Sequence, residues 1–270
     1  MLVSEMRNRP IGVFDSGIGG LTVVRALMEA LPQEQIVYFG DTARVPYGVK
    51  SSATVAGYAA QITDFLLKRD VKMLVVACNT MAAVALNVIV DMSPVPVINV
   101  LDAGAAAAAR ASRNGRVGVL ATLTTVHSGA YVRALECYRQ DLAIVSQACP
   151  LFVPLVEEGW VDHPVTTLTA REYLTPMLAA EVDTIVLGCT HYPLLRPVLA
   201  RLAGDEVALV DSASTTAAQV GAMLRASDLA CTQARVPRHE FHVTDFPQRF
   251  RAVGELCLGR PLPDVHLVHW

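Results

Sequence analysis

Residues 71–80 (Val-Lys-Met-Leu-Val-Val-Ala-Cys-Asn-Thr) and residues 182–191 (Val-Asp-Thr-Ile-Val-Leu-Gly-Cys-Thr-His) align without a gap. Each is a β-branched apolar run that stops at a cysteine followed by a polar residue. Further upstream, Ile11-Gly12-Val13-Phe14-Asp15-Ser16 parallels Val117-Gly118-Val119-Leu120-Ala121-Thr122 in the same order. Shared composition among buried strands also produces weak repeats. What sets this one apart is the identity of the residue at the strand end. A chain that repeats a strand, its partner and the residue closing it is constrained to two related lobes.

Short apolar runs at 11–14, 36–39, 73–77, 95–100, 117–120, 143–146, 184–187 and 207–210 read as buried strands. Between them, stretches such as 21–31, 53–68 and 166–180 carry apolar residues at i, i+3 and i+4 and are long enough for crossover helices. The expected fold class is therefore α/β, with two similar three-layer lobes, mainly parallel sheets and pseudo-symmetry. The last part differs: residues 241–244 and 265–268 are strand-like, bracket a helix over 246–258, and are expected to close a lobe with Trp270 at the end.

Composition narrows the function classes. With 53% apolar and 17% charged residues the chain is neither disordered nor fibrous, and a formal charge of −3 gives no electrostatic reason to expect nucleic acid. Glu5, Arg7 and Arg9 precede any apolar run, so residues 1–10 do not read as a secretion signal, and a cytoplasmic protein is expected. The most apolar region, 84–109, is broken by Asp91, Pro94, Pro96 and Asp102, too often for a membrane span. The apolar composition is compatible with a homodimer. The six cysteines include no CxxC pair, and the histidines show no metal-ligand spacing, so neither a disulfide framework nor a metal site is expected.

In an open parallel sheet ligands bind beyond the carboxyl ends of the strands, where the next helix presents free N–H groups that also favour a thiolate. Cys78 and Cys189 fall there. A single such cysteine reads best as a small buried hydrophobe; two at equivalent strand ends read as functional. Cys137, Cys149, Cys231 and Cys257 lack this setting and read as inert packing residues. Asp15-Ser16-Gly17-Ile18-Gly19-Gly20 lies at a strand-to-helix junction and suits a carboxylate-binding turn; it lacks the third glycine of a dinucleotide fingerprint and the lysine of a phosphate loop. With Asp41 closing the second strand, a ribose-binding reading stays open. The loop through Gly40-Asp41-Thr42 and Pro46-Tyr47-Gly48 reads either as a specificity loop or as an ordinary turn. Glu157 and Glu158 follow an apolar run and read as either a site carboxylate or an exposed helix face. His191, two residues after Cys189, reads as an acid/base partner or as a helix cap.

Taken together, the segments 12–23 (Gly-Val-Phe-Asp-Ser-Gly-Ile-Gly-Gly-Leu-Thr-Val), Tyr38-Phe39-Gly40-Asp41-Thr42, Pro46-Tyr47-Gly48, Ala77-Cys78-Asn79-Thr80 and 187–195 (Leu-Gly-Cys-Thr-His-Tyr-Pro-Leu-Leu) resemble the glutamate racemases of bacterial cell-wall synthesis. The likeness covers nearly the whole chain. It implies a cofactor-independent enzyme interconverting L- and D-glutamate for peptidoglycan, with the site in a cleft between lobes. The lobes would comprise residues 1–101 plus 212–270, and 102–211. By this resemblance Cys78 deprotonates D-glutamate and Cys189 L-glutamate; Asp15 assists Cys78, while Glu157 and His191 assist Cys189. Ser16, Asn79, Thr80 and Thr190, with Asp15 and His191, hold the amino and carboxylate groups, and Tyr47 and Gly48 the distal carboxylate.

Inverting an α-carbon requires a proton removed from one face and another returned to the opposite face, which two thiols on facing lobes supply. Pyridoxal phosphate is not expected: of three lysines, only Lys50 lies near the expected cleft. Two rivals are weaker, and a third stays open. A cysteine hydrolase has no use for a second equivalent thiol, and an extracytoplasmic amino-acid-binding protein needs a secretion signal. An aspartate racemase differs only in the side-chain length accepted.

Overall fold

The chain alternates strand and helix almost throughout. In the computed structural model, which describes residues 3–233, 236–262 and 264–270, the strands are Ile11–Asp15 (β1), Ile36–Gly40 (β2), Met73–Val76 (β3), Val97–Asn99 (β4), Arg116–Ala121 (β5), Ala143–Ala148 (β6), Thr184–Gly188 (β7), Ala208–Val210 (β8), Glu240–Val243 (β9) and Val265–Leu267 (β10). β1, β2, β3 and β7 are buried along their whole length. Helices covering both faces of a parallel sheet explain why these strands read as continuous apolar runs rather than alternating ones.

The strands form two sheets, β10-β9-β2-β1-β3-β4 and β6-β5-β7-β8. The order β2-β1-β3-β4 recurs as β6-β5-β7-β8, and the described pairs are parallel. Register repeats too: Ile11 pairs with Met73 and Phe14 with Val76, just as Val117 pairs with Thr184 and Leu120 with Leu187. These are the positions that align in the sequence repeat, so the internal likeness extends to strand pairing. β9 and β10 extend only the first sheet, with helix Pro247–Leu258 between them.

Local chemistry sets the ends of the elements. Residues 95–100 read as one strand, but β4 stops at Asn99, whose Oδ1 accepts the amide of Asp102 at 2.9 Å and caps helix Val100–Ala111. That helix is rich in alanine and packs against β7 and against helix Ala213–Ala226, where small side chains allow close approach. The core is continuous between the sheets: one apolar cluster runs from Phe14 and Val76 to Val117 and Val186. No helix among the described residues is long and apolar enough to cross a membrane.

Candidate active site

β1 and β3, and their counterparts β5 and β7, end on one cavity of about 240 Å³. In both sheets the chain leaves the central strand and returns on its far side, which opens a crevice at the carboxyl ends. Asp15 is the last residue of β1 and Cys78 lies two residues beyond β3. Cys189 immediately follows β7. All eleven residues singled out from the sequence line this cavity: Asp15, Ser16, Tyr47, Gly48, Cys78, Asn79, Thr80, Glu157, Cys189, Thr190 and His191.

The two thiols differ in local structure. Cys78 caps helix Asn79–Val84, its sulfur accepting the amide of Met81 at 3.5 Å and donating to Ser16 Oγ at 3.8 Å. Burial pushes the Cys78 thiol pKa up strongly and the nearby Asp15 adds to the effect, so Cys78 is held as a thiol. Cys189 is followed by the 3-10 turn Tyr192–Leu195 instead of an α-helix. Its support comes from a side chain: the sulfur lies 3.8 Å from His191 Nδ1, and His191 Nε2 lies 3.1 Å from Glu157 Oε1. Burial alone would lower the His191 pKa, but the hydrogen bonds and charges of Cys189 and Glu157 outweigh it and raise it to about 10. Glu157 responds in kind: burial pushes its pKa up, and His191 with Arg249 brings it below the usual carboxylate range.

The walls carry unmet polar capacity. Asp15 Oδ2 accepts the amides of Gly20 at 2.8 Å and Gly17 at 3.4 Å, while its buried Oδ1 has no partner. Asn79 Oδ1 accepts from Tyr131 OH at 2.6 Å, leaving a buried Nδ2 without one. Both residues line the cavity, and each keeps hydrogen-bonding capacity that the protein does not use.

Of the wall residues that were not site candidates, two carry a hydroxyl or a thiol. Thr122, whose Oγ1 lies 3.0 Å from that of Thr80, had a signal in the repeat, where it is the counterpart of Ser16. Cys149, read as an inert packing residue, is indeed buried but closes β6 on the cavity wall. Burial and the neighbouring Cys189 push its pKa up. Cys137 is exposed. Asp41 is engaged by protein: Tyr47 OH and Arg44 Nε, the latter at 2.6 Å, donate to Oδ2, and Thr244 donates to Oδ1 at 2.9 Å. Its role is therefore internal to the loop, unlike a ribose-binding acid. Among the described residues no group of three or more His, Cys, Asp or Glu side chains is placed to hold a metal ion.

Comparison with known proteins agrees with this arrangement. Residues 11–220 match the Asp/Glu/Hydantoin racemase family. The chain is 58% identical to the glutamate racemase of Syntrophus aciditrophicus over 96% of each sequence. Its fold superposes on the glutamate racemase of Francisella tularensis in complex with D-glutamate with a TM-score of 0.92, at 39% identity, covering 97% of this chain and 98% of that one. The Escherichia coli glutamate racemase, in complex with L-glutamate and the activator UDP-MurNAc-Ala, gives 0.79 at 27% identity, covering 96% and 98%. A paired-thiol cavity between two repeated lobes, together with relatedness along nearly its full length, places this chain in the glutamate racemase family.

Proposed function

We propose that this chain interconverts L- and D-glutamate by direct proton transfer at Cα between Cys78 and Cys189, and so supplies D-glutamate for peptidoglycan synthesis. The observation that carries the reading is that two thiols, from equivalent strand ends of two repeated sheets, line one cavity of amino-acid size. Relatives bearing either enantiomer of glutamate support the substrate. The division into residues 1–101 plus 212–270 and 102–211 is supported by the membership of the two sheets, and gives each lobe one of the two paired cysteines, Cys78 and Cys189. A reducing cytoplasm keeps both thiols available.

With L-glutamate, the Cys189 thiolate takes the Cα proton. The C–H bond breaks, its electron pair stays on the α-carbon, and an S–H bond forms. The Cys78 thiol then delivers its own proton to the opposite face, leaving D-glutamate and exchanged protonation states on the two sulfurs. Protonated His191 stabilises negative charge on the Cys189 side, and Glu157 holds His191 in that state. Asp15 assists on the Cys78 side as a proton acceptor or orienting group, not by stabilising negative charge on sulfur. Thr190, Ser16, Asn79 and Thr80 hold the α-amino and carboxylate groups, while Tyr47 and Gly48 face the distal carboxylate. An ordinary amino-acid α-carbon is a weak acid, so the low-dielectric, preorganised cavity has to stabilise the developing carbanion.

The test is racemisation of glutamate and aspartate by purified protein without added cofactor, run in deuterated water. Early product should carry deuterium at Cα while unreacted substrate carries almost none. Cys78→Ser and Cys189→Ser should each nearly abolish turnover. Asp15→Asn should bias the kcat loss toward the direction that begins at Cys78, and Glu157→Gln or His191→Asn toward the other, with KM compensating because the equilibrium is unchanged. Product that keeps its original hydrogen, or a serine variant of near-normal activity, would reject the two-thiol mechanism.

A further inference from the structure

Arg44 does not line the cavity, yet its guanidinium is held on several sides. Its Cζ lies 4.1 Å from the ring centroid of Tyr58 and 4.8 Å from that of Trp270. In the plane of the group, Nε donates to Asp41 Oδ2 at 2.6 Å and Nη1 to Gln61 Oε1 at 2.5 Å. Tyr47 donates its hydroxyl to the same Asp41 oxygen, and its ring packs 5.4 Å from Tyr58. Asp41 is fully buried, and Thr244 takes its second oxygen. From Tyr47 the chain passes to Gly48, so close to the second lobe that a Cβ there would stand 2.6 Å from Thr122 Cβ. The Gly48 carbonyl accepts from Thr124 Oγ1 at 2.9 Å. Residues 45–48, all on the cavity wall, thus hang between Arg44 on one side and Thr122 with Thr124 on the other.

We propose that Arg44, clamped between Tyr58 and Trp270, is the positioning residue that holds loop 45–48 in the shape that receives the substrate's distal carboxylate. The identity of that carboxylate rests on the glutamate reading; the clamp does not. A guanidinium can stack flat on aromatic rings while its planar fork donates along the edge; an ammonium has neither the flat face nor the fork, so lysine cannot keep this set of contacts. Arg44 therefore fixes Asp41, Asp41 fixes the Tyr47 hydroxyl, and the backbone of Gly48 follows. Trp270, half-exposed, supplies the second ring against the guanidinium. Because the distal carboxylate is common to both enantiomers, loosening this loop weakens binding of L- and D-glutamate alike. Changes at Asp15, Glu157 or His191 instead act on one direction more than the other.

The experiment compares the full-length protein with Arg44→Lys, Trp270→Ala and Trp270→Phe by amide hydrogen exchange and by steady-state kinetics in both directions. Arg44→Lys and Trp270→Ala should speed exchange of the amides at 47–50 by about tenfold or more, with the amides of 117–120 unchanged. KM should rise about 5- to 20-fold for both enantiomers while kcat stays within about threefold. Trp270→Phe, which keeps an aromatic face, should restore both. Unchanged exchange at 47–50, or a fall in kcat with KM untouched, would overturn the proposal. If the unmodified protein fails to racemise glutamate, the glutamate reading falls and exchange at 47–50 alone decides the clamp.

Discussion

His191 faces Glu157 across 3.1 Å although 33 residues separate them in sequence, and the other ring nitrogen of His191 faces the Cys189 sulfur. The histidine is buried, and Glu157 and the Cys189 sulfur, one at each ring nitrogen, favour its protonated form. Its pKa, about 10, stands above the value of about 6.5 in an unfolded chain. The folded state therefore binds the extra proton more tightly. The stabilisation is complete below about pH 6.5 and is lost as pH rises toward 10. Stability measured by denaturation should decline across that interval. In Glu157→Gln the decline should shrink, and the ring titration followed by NMR should move toward neutrality. A His191 titration that stays in place in this variant would show that Glu157 does not hold the proton.

Gly19 stands where the turn after β1 meets the second lobe. A Cβ there would lie 2.3 Å from Thr190 Oγ1 and 2.7 Å from His191 Nδ1. Both are side-chain atoms on the cavity, so Gly19→Ala should displace them rather than break the backbone. The expected stability cost is about 1–3 kcal/mol. Misplacing an acid/base group by about an ångström costs on the order of 100-fold in rate, so activity should fall far more than the melting temperature suggests. Turnover within twofold of the parent protein would show that the two side chains swing aside without consequence.

Tyr131, on helix Ala130–Tyr138, reaches the other lobe to donate to Asn79 Oδ1 at 2.6 Å. Both residues are buried. Tyr131→Phe keeps the ring and removes the donor, leaving a buried amide oxygen unpaired, at an expected cost of about 1–3 kcal/mol. The free amide can then rotate, so KM should rise in both directions together. Urea denaturation and kinetics check the two halves separately; a variant as stable as the parent would mean that Asn79 finds another donor.

The central strands were legible from sequence because a strand buried on both faces must be a short, unbroken apolar run, as β1, β2, β3 and β7 are. The internal repeat carried more, since similar strands in the same order pair in the same register, as Ile11 with Met73 and Val117 with Thr184 show. Ten of the eleven candidate residues lie in the motifs that carry the resemblance, whose signals are local, and the choice of Glu157 came only with the family resemblance. What only the tertiary structure decided is how the lobes meet. That Glu157 reaches His191, that Tyr131 spans to Asn79, that Cys149 joins the cavity wall and that Asp41 is engaged by Tyr47, Arg44 and Thr244 all depend on contacts between distant segments. Periodicity and turn chemistry act over a few residues, whereas these contacts arise from close packing of whole sheets and helices, in which each side chain's partner is set by the volume and direction of all its neighbours.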